Sequence, residues 1–97
     1  MYIVTVLFKI HAAHYSEFVL AMTDNASISS ATESGCHQFD VCEGGSAEQP
    51  EIFLYEVYDT KEAFQAHLLA PHFLHFNALT APWVQDKTVA VFQRIVV

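Results

Sequence analysis

The apolar positions follow two different periods along the chain. Four segments are rich in β-branched and aromatic residues or alternate between apolar and polar positions, as strands do. These predicted strands are Tyr2–Ile10, Cys36–Glu43, Ile52–Tyr58 and Lys87–Val97. Between the first two strands, apolar residues recur at helical spacing. That spacing predicts a helix from Tyr15 or Ser16 to about Glu33, with Ser16 as a suitable N-cap.

A second helical region follows the third strand. Asp59 and Thr60 end the strand, and Thr60 is placed to cap the helix that begins after it. Pro71 interrupts this helix, and a further helical segment continues to about Ala81. The resulting βαββαβ order predicts a ferredoxin-like α+β fold, with a four-stranded antiparallel sheet and helices on one face. We interpret residues 1–97 as a single domain.

The composition predicts that the second face of the sheet is covered. Apolar residues make up 53% of the chain, and charged residues only 15%. A monomer of this size has too much surface to hide so much apolar side-chain area. We therefore expect a homodimer, because symmetric pairs are the commonest assemblies.

Charge and cysteines narrow the class of protein. Four Lys and Arg against eleven Asp and Glu give a formal charge of −7. This balance disfavours nucleic acid and anionic membranes as partners, although solubility alone also explains an acidic chain. Cys36 and Cys42 are six positions apart on one predicted strand, about 20 Å and too far for a disulfide. Free thiols, no visible signal peptide and no membrane-length apolar run predict a cytoplasmic protein.

Two acidic residues in the central strands are candidate catalytic groups. Glu56 lies in the middle of an apolar strand, and a hairpin through residues 44–50 is expected to place Asp40 beside it. A carboxyl group that faces the core has a raised pKa and can act as an acid or a base. The alternative for each residue is a solvent-facing position, or a pair with Lys9 or Arg94.

Residues 53–76 combine this strand with histidines and aromatic residues, so they are expected to line any pocket. His67 shares a helix face with Phe64, which favours a pocket histidine or a general base. Further wall or binding residues of this stretch are His72, Phe73 and Phe76. We expect no metal, because Pro71 breaks the helical register between the histidines and no HExxH or cysteine pattern is present. The GxSxG, P-loop and GxGxxG signatures are also missing.

Several short motifs together resemble the antibiotic biosynthesis monooxygenase (ABM) family. They are E-x-G-C from Glu33, FDV from Phe39, FLYEVY from Phe53, the pair Ala63-Phe64 with His67, and PHF from Pro71 with Phe76. The resemblance covers the whole chain. It implies a dimeric α+β barrel, in which two ferredoxin-like sheets pack face to face. It also implies a pocket that contains Asn25, Asp40, Glu56 and His67, with Tyr58 nearby.

Known members of that family include cofactor-free monooxygenases of anthrones and quinols, haem-degrading enzymes, and an isomerase of phosphorylated autoinducer-2. The chain looks most like the quinol monooxygenase and isomerase branch. Its first strand carries Thr5 and no asparagine, unlike the haem branch, and its few cations disfavour a phosphorylated substrate. The expected function is oxygenation of a quinol-like or polyketide aromatic without a cofactor, with Glu56 or His67 as the base. The alternatives are an isomerase or tautomerase of a small hydroxy-ketone, and a non-catalytic ligand-binding dimer.

Overall fold

Four strands form one antiparallel sheet. The computed structural model describes all 97 residues. The strands are β1 (Tyr2–Ile10), β2 (Cys36–Gly45), β3 (Pro50–Tyr58) and β4 (Val84–Gln93). Their order across the sheet is β2-β3-β1-β4, so β3 and β1 are central. All neighbours are antiparallel. This is the ferredoxin-like α+β fold that the sequence predicts.

Three helices pack on one face of the sheet and leave the β4 side chains of that face exposed. They are α1 (Tyr15–Thr32), α2 (Lys61–Leu69) and α3 (Pro71–Thr80), with short 3-10 turns at Ala12–His14 and Ala81–Trp83. Every second residue of β1, from Val4 to Ile10, is buried against Phe18 and Met22 of α1 and Phe76 of α3. The layers therefore meet in one apolar core. None of the helices combines the length and the apolar character needed to cross a bilayer.

The helix boundaries follow local chemistry. The Thr60 side chain accepts a hydrogen bond of 3.1 Å from the backbone N–H of Ala63, which confirms the predicted cap of α2. Ala70 alone separates α2 from α3 and is extended, with ψ 140°, as a residue before proline prefers. The predicted Ser16 cap is wrong. The 3-10 turn leads directly into α1, and the N-cap position belongs to His14, which makes no side-chain cap.

Strand β4 differs from the predicted Lys87–Val97. It ends at Gln93, because Gln93 pairs with Tyr2, the first residue of the neighbouring β1. Beyond that point the backbone N–H of Arg94 still donates a hydrogen bond of 3.1 Å to the carbonyl of Met1, and the residues after Arg94 make no strand pairing. The strand also begins earlier than predicted, because an irregularity in the register extends the pairing to Ile10 at the other end of β1.

The face of the sheet opposite the helices is uncovered in a single chain. Phe53 on β3 is 39% exposed and Phe92 on β4 is 56% exposed. Their strand partners, Leu7 and Ile3, lie on the same face. The homodimer remains a prediction, and these side chains are ones that a second copy would cover.

Candidate active site

A small cavity, partly open to solvent on the β4 side, lies between the sheet and the helices. Its volume is about 50 Å³. Each layer contributes a polar side chain to its lining: Asn25 from α1, Glu56 from β3, His67 from α2 and Lys87 from β4. The remaining walls are apolar and include Phe8, Phe39, Phe64, Phe73 and Phe76. Its lining, apolar with a few convergent polar groups, is that of a small-molecule site, but such sites usually measure roughly 300–1,000 Å³, so a substrate would enter only if the aromatic walls move apart.

Glu56 is the acidic group of this cavity. It is 2% exposed, and the Tyr58 hydroxyl donates a hydrogen bond of 2.5 Å to its Oε1. The two side chains meet because residues two apart on a strand share a face. Burial raises the pKa of Glu56 from 4.5 to about 7, the Glu33 charge adds to the rise, and Tyr58 and Lys87 oppose it. A carboxyl group with this pKa exchanges protons readily near neutrality.

Lys87 is the cationic group of the cavity and lies at its open side, where the residue is exposed to solvent. Its Nζ lies 5.4 Å from the ring centroid of Phe8 and 5.9 Å from that of Phe73, as in cation–π contacts. Burial lowers the pKa of Lys87, and the nearby Glu56 charge works in the opposite direction. No carboxylate forms a salt bridge with it, so its charge is available to a bound anion.

His67 is held among aromatic rings and is 2% exposed. Its ring centroid lies 5.0 Å from that of Phe73 and 5.9 Å from that of Phe39. Nδ1 lies 2.8 Å from Oε2 of Glu33. Burial lowers the pKa of His67, although the hydrogen bond to Glu33 counteracts it. The cavity therefore contains an imidazole whose neutral form is favoured by burial. Its orientation is fixed by the contact between Nδ1 and Glu33, which lies outside the cavity.

Asn25 supplies an amide to the cavity wall. It is 3% exposed, and its Oδ1 is enclosed without a hydrogen-bond partner. An unpaired buried acceptor of this kind costs about 1–3 kcal/mol. A ligand with a hydroxyl group would satisfy the amide, so Asn25 is a candidate contact for the substrate.

The structure brings together most of the predicted pocket residues. Those that line the cavity are Asn25, Glu56, Phe64, His67, Phe73 and Phe76. Tyr58 lies behind Glu56 and contacts it, without lining the cavity itself. His72 lies outside the cavity and contacts Glu33 and Ser29. The catalytic and binding roles of these residues remain predictions.

The expected position of Asp40 is wrong. In the β2–β3 register Phe39 pairs with Glu56, and Asp40 pairs with Tyr55. Adjacent strand residues point to opposite faces, so Asp40 faces away from the cavity. It is exposed there and accepts a hydrogen bond of 2.6 Å from Gln38 Nε2. The expected pairing of Asp40 with Glu56 differs from the observed one by a single residue, and that difference places the Asp40 side chain on the opposite face of the sheet.

Sequence reasoning missed two groups of residues. The strand pattern marks Lys87 only as the start of β4, although its spacing of two from Val89 indicates that both side chains share one face. The sequence indicates Glu33 only as the end of the first helix and as part of a motif, and it gives no signal for Ser29. Both contact the histidines because the end of α1 lies beside α2. No periodicity signals that contact.

Comparison with known proteins agrees with this geometry. A family model described as antibiotic biosynthesis monooxygenase matches residues 1–79. The chain therefore belongs to the ABM family, as its motifs indicate. None of the curated proteins is similar enough in sequence to match it.

Solved structures show the same fold over nearly the whole chain. A Nitrosomonas europaea protein named for this family has a TM-score of 0.90 at 22% identity, and covers 99% of this chain and 100% of its own. One from Caulobacter crescentus has a TM-score of 0.90 at 20% identity, with 98% and 90% covered. A Mycobacterium tuberculosis protein has a TM-score of 0.86 at 21% identity, with 98% and 95% covered. At such identities the likeness establishes the fold.

Proposed function

We propose that this protein oxidises a small electron-rich phenol, of the quinol-like or polyketide aromatic class, with dioxygen and without flavin or haem. The observation that carries the proposal is the carboxyl group of Glu56, buried in an aromatic-walled cavity with its pKa raised to about 7. Membership of the ABM family supports the reaction class.

The first step is deprotonation of the substrate. The Glu56 carboxylate accepts the phenolic proton, and Tyr58 keeps Oε1 in place through its hydrogen bond. The phenolate that forms is stabilised by the Lys87 ammonium, which lines the same cavity. His67 and Asn25 supply hydrogen bonds that orient the substrate, and the phenylalanine rings stack against it.

The second step is the reaction of the phenolate with dioxygen. The electron-rich ring passes one electron to O₂, and the two radicals combine at a ring carbon to form a peroxide. Loss of water across that carbon leaves a carbonyl group, so a phenol plus O₂ gives a quinone plus H₂O. One oxygen atom enters the product and the other leaves as water. The substrate supplies all the electrons, so no external reductant is needed.

A proton-transfer reaction is the second candidate. Glu56 and His67 line the same cavity, and an acid–base pair of this kind can move a proton beside a carbonyl group. An isomerase or tautomerase of a small hydroxy-ketone would use them without oxygen. A third candidate is a non-catalytic dimer that binds the same ligands through the apolar walls.

Oxygen uptake with a panel of quinols and anthrones, and no added cofactor, tests the proposal. We expect uptake by the native protein, and a loss of about 100-fold or more in Glu56→Gln, since general bases contribute 10²–10⁴-fold. Glu48→Gln, an exposed change in the β2–β3 loop, is the matched control and should leave the rate unchanged. Conversion of small hydroxy-ketones under strict anaerobiosis, with no oxygen uptake on the aromatic panel, would instead establish the isomerase. Binding without any turnover would establish the ligand-binding dimer.

A further inference from the structure

A cluster of polar side chains outside the cavity contacts His67 on the side of its ring that carries Nδ1. Glu33, Ser29 and His72 do not line the cavity, yet all three contact one another or His67. Glu33 is the C-cap residue of α1, and His72 is the second residue of α3. The single-residue break between α2 and α3 brings the imidazole of His72 back towards that of His67, despite the change of helix.

The donor atoms of this cluster converge on one point. Oε2 of Glu33 lies 2.8 Å from Nδ1 of His67 and 2.5 Å from Nε2 of His72. Oγ of Ser29 lies 3.1 Å from the same His72 nitrogen and 3.5 Å from the same His67 nitrogen. The ligand atoms of Glu33, His67 and His72 are all within 4.8 Å of one another. Glu33 has no Lys or Arg partner, only the two imidazoles.

Hydrogen bonds alone do not satisfy this arrangement. If both imidazoles donate to Glu33, neither facing nitrogen keeps a lone pair for the Ser29 hydroxyl, which is fully buried and has no other side-chain or backbone partner. If either nitrogen accepts from Ser29, its lone pair faces the Glu33 carboxylate at hydrogen-bond distance. Each assignment of neutral imidazoles thus leaves an unused buried donor or a repulsive contact.

We propose that Glu33, His67 and His72 bind a divalent transition-metal cation of the Zn²⁺ class. A cation accepts lone pairs from all the converging atoms, which removes the conflict. Two histidines and one glutamate are an established ligand set for Zn²⁺, and a water molecule or Ser29 Oγ would take the fourth position. The conflict among buried donors carries this assignment, which does not depend on the proposed oxygenation.

The dimensions fit the ion after a small expansion. Metal–ligand distances of about 2.0–2.2 Å put tetrahedral ligands about 3.3 Å apart, so the donor atoms must separate by roughly 0.5–0.8 Å. Glu33 and His72 can allow this, because their side chains are 15% and 14% exposed at the edge of the cluster. The same exposure gives the ion a route in from solvent.

The bound ion would fix the protonation of His67. With Nδ1 bound to the metal, the ring proton must be on Nε2, which has no partner within the chain. His67 would then present a donor to the cavity and orient a substrate oxygen. Zn²⁺ has no redox chemistry of its own, so the ion would act as a positioning group behind the wall.

Metal binding to the full-length, untagged protein tests the proposal directly. After treatment with a chelator, Zn²⁺ titration by calorimetry should show one equivalent bound per chain. Saturating Zn²⁺ should raise the thermal midpoint by about 5 °C or more. Co²⁺ should give the visible absorption of a tetrahedral site. A native protein that shows neither stoichiometric binding nor a thermal shift would overturn the proposal.

Three variants locate the ion. Glu33→Gln and His72→Ala should each weaken Zn²⁺ affinity by about 10–100-fold or more, because each removes a ligand. His75→Ala, an exposed imidazole on the same helix, is the matched control and should bind like the native protein. Equal affinities in all three variants would place the ion elsewhere and overturn the assignment. Because these readouts do not use activity, they remain decisive if the oxygenation proposal fails.

Discussion

The burial of Glu56 predicts a specific dependence of stability on pH. In the folded protein its pKa is about 7, against 4.5 for a free carboxyl group. Between these values the folded chain keeps a proton that the unfolded chain has released, so the stability that protonated Glu56 provides falls as pH rises. It is fully present below about pH 4.5 and lost above about pH 7. At about 1.4 kcal/mol per pH unit the loss is about 3 kcal/mol at most.

The variant Glu56→Gln isolates this contribution. Glutamine keeps the size of the side chain and an oxygen that accepts the hydrogen bond from Tyr58. We compare the free energy of unfolding of the variant with that of the native protein at each pH. This difference should shift in favour of the variant by up to about 3 kcal/mol when the pH is raised from about 4 to about 8.5. Urea unfolding at both pH values and at one protein concentration measures it, as a relative midpoint change of roughly 1–3 M.

Other titrating groups cancel in this comparison, because native and variant chains share them. Glu48→Gln removes an exposed carboxylate and should show a relative change below about 0.5 kcal/mol. A Glu56→Gln difference as small as the Glu48→Gln difference would refute the reasoning. The carboxyl group would then not be desolvated in the folded protein, and its role as a base near neutral pH would have no physical support.

Further predictions concern the cation, a close contact and the open face of the sheet. Lys87→Met should raise the pKa of the Glu56 carboxyl group and so move the pH–rate profile to higher pH, and it should lower kcat/KM by about 100-fold. Lys61→Met, at the exposed start of α2, is the control and should change neither the profile nor kcat/KM. Gly35→Ala would place its Cβ 2.6 Å from a side-chain carbon of α2 and should cost about 1–3 kcal/mol in chemical denaturation. Gly44→Ala, with nothing within 4 Å, should cost less, and equal losses would contradict the contact. Phe53→Lys should convert a sedimenting dimer into folded monomers, whereas a monomeric native protein would show the dimer prediction to be wrong.

The fold could be predicted because its signals are local. The β-branched and aromatic composition of β1, the Thr60 cap and the break at Pro71 each depend on a few adjacent residues, and each predicted feature is present in the structure. The end of β4 could not be predicted in the same way. The last residue of β4 is set by its pairing with Tyr2 at the start of β1. The residues that follow are as apolar as the strand itself, so the sequence does not show where the pairing ends.

The cavity could be predicted in part. Glu56 was identifiable as a carboxylate in an apolar strand, and His67 as a histidine on an apolar helix face. The predicted position of Asp40 was wrong because the loop length does not determine the β2–β3 register. A shift of the register by one residue moves a side chain to the opposite face of the sheet. The contact of Glu33 with the two histidines joins residues more than 30 positions apart, so only the packing of α1 against α2 and α3 reveals it.

The extended Ala70 between α2 and α3 makes chain length critical at this corner. An inserted residue there would extend α2 or delay α3, and each added helical residue rotates the following side chains by about 100°. His72 would then swing away from Glu33, while the rest of α3 would still be able to bury its apolar side. Insertions at residues 46–49, in the exposed loop between β2 and β3, would leave both histidines in place. Relatives of this protein that keep the Glu33 and His72 contact should therefore vary in length at the hairpin and stay constant in length at the corner.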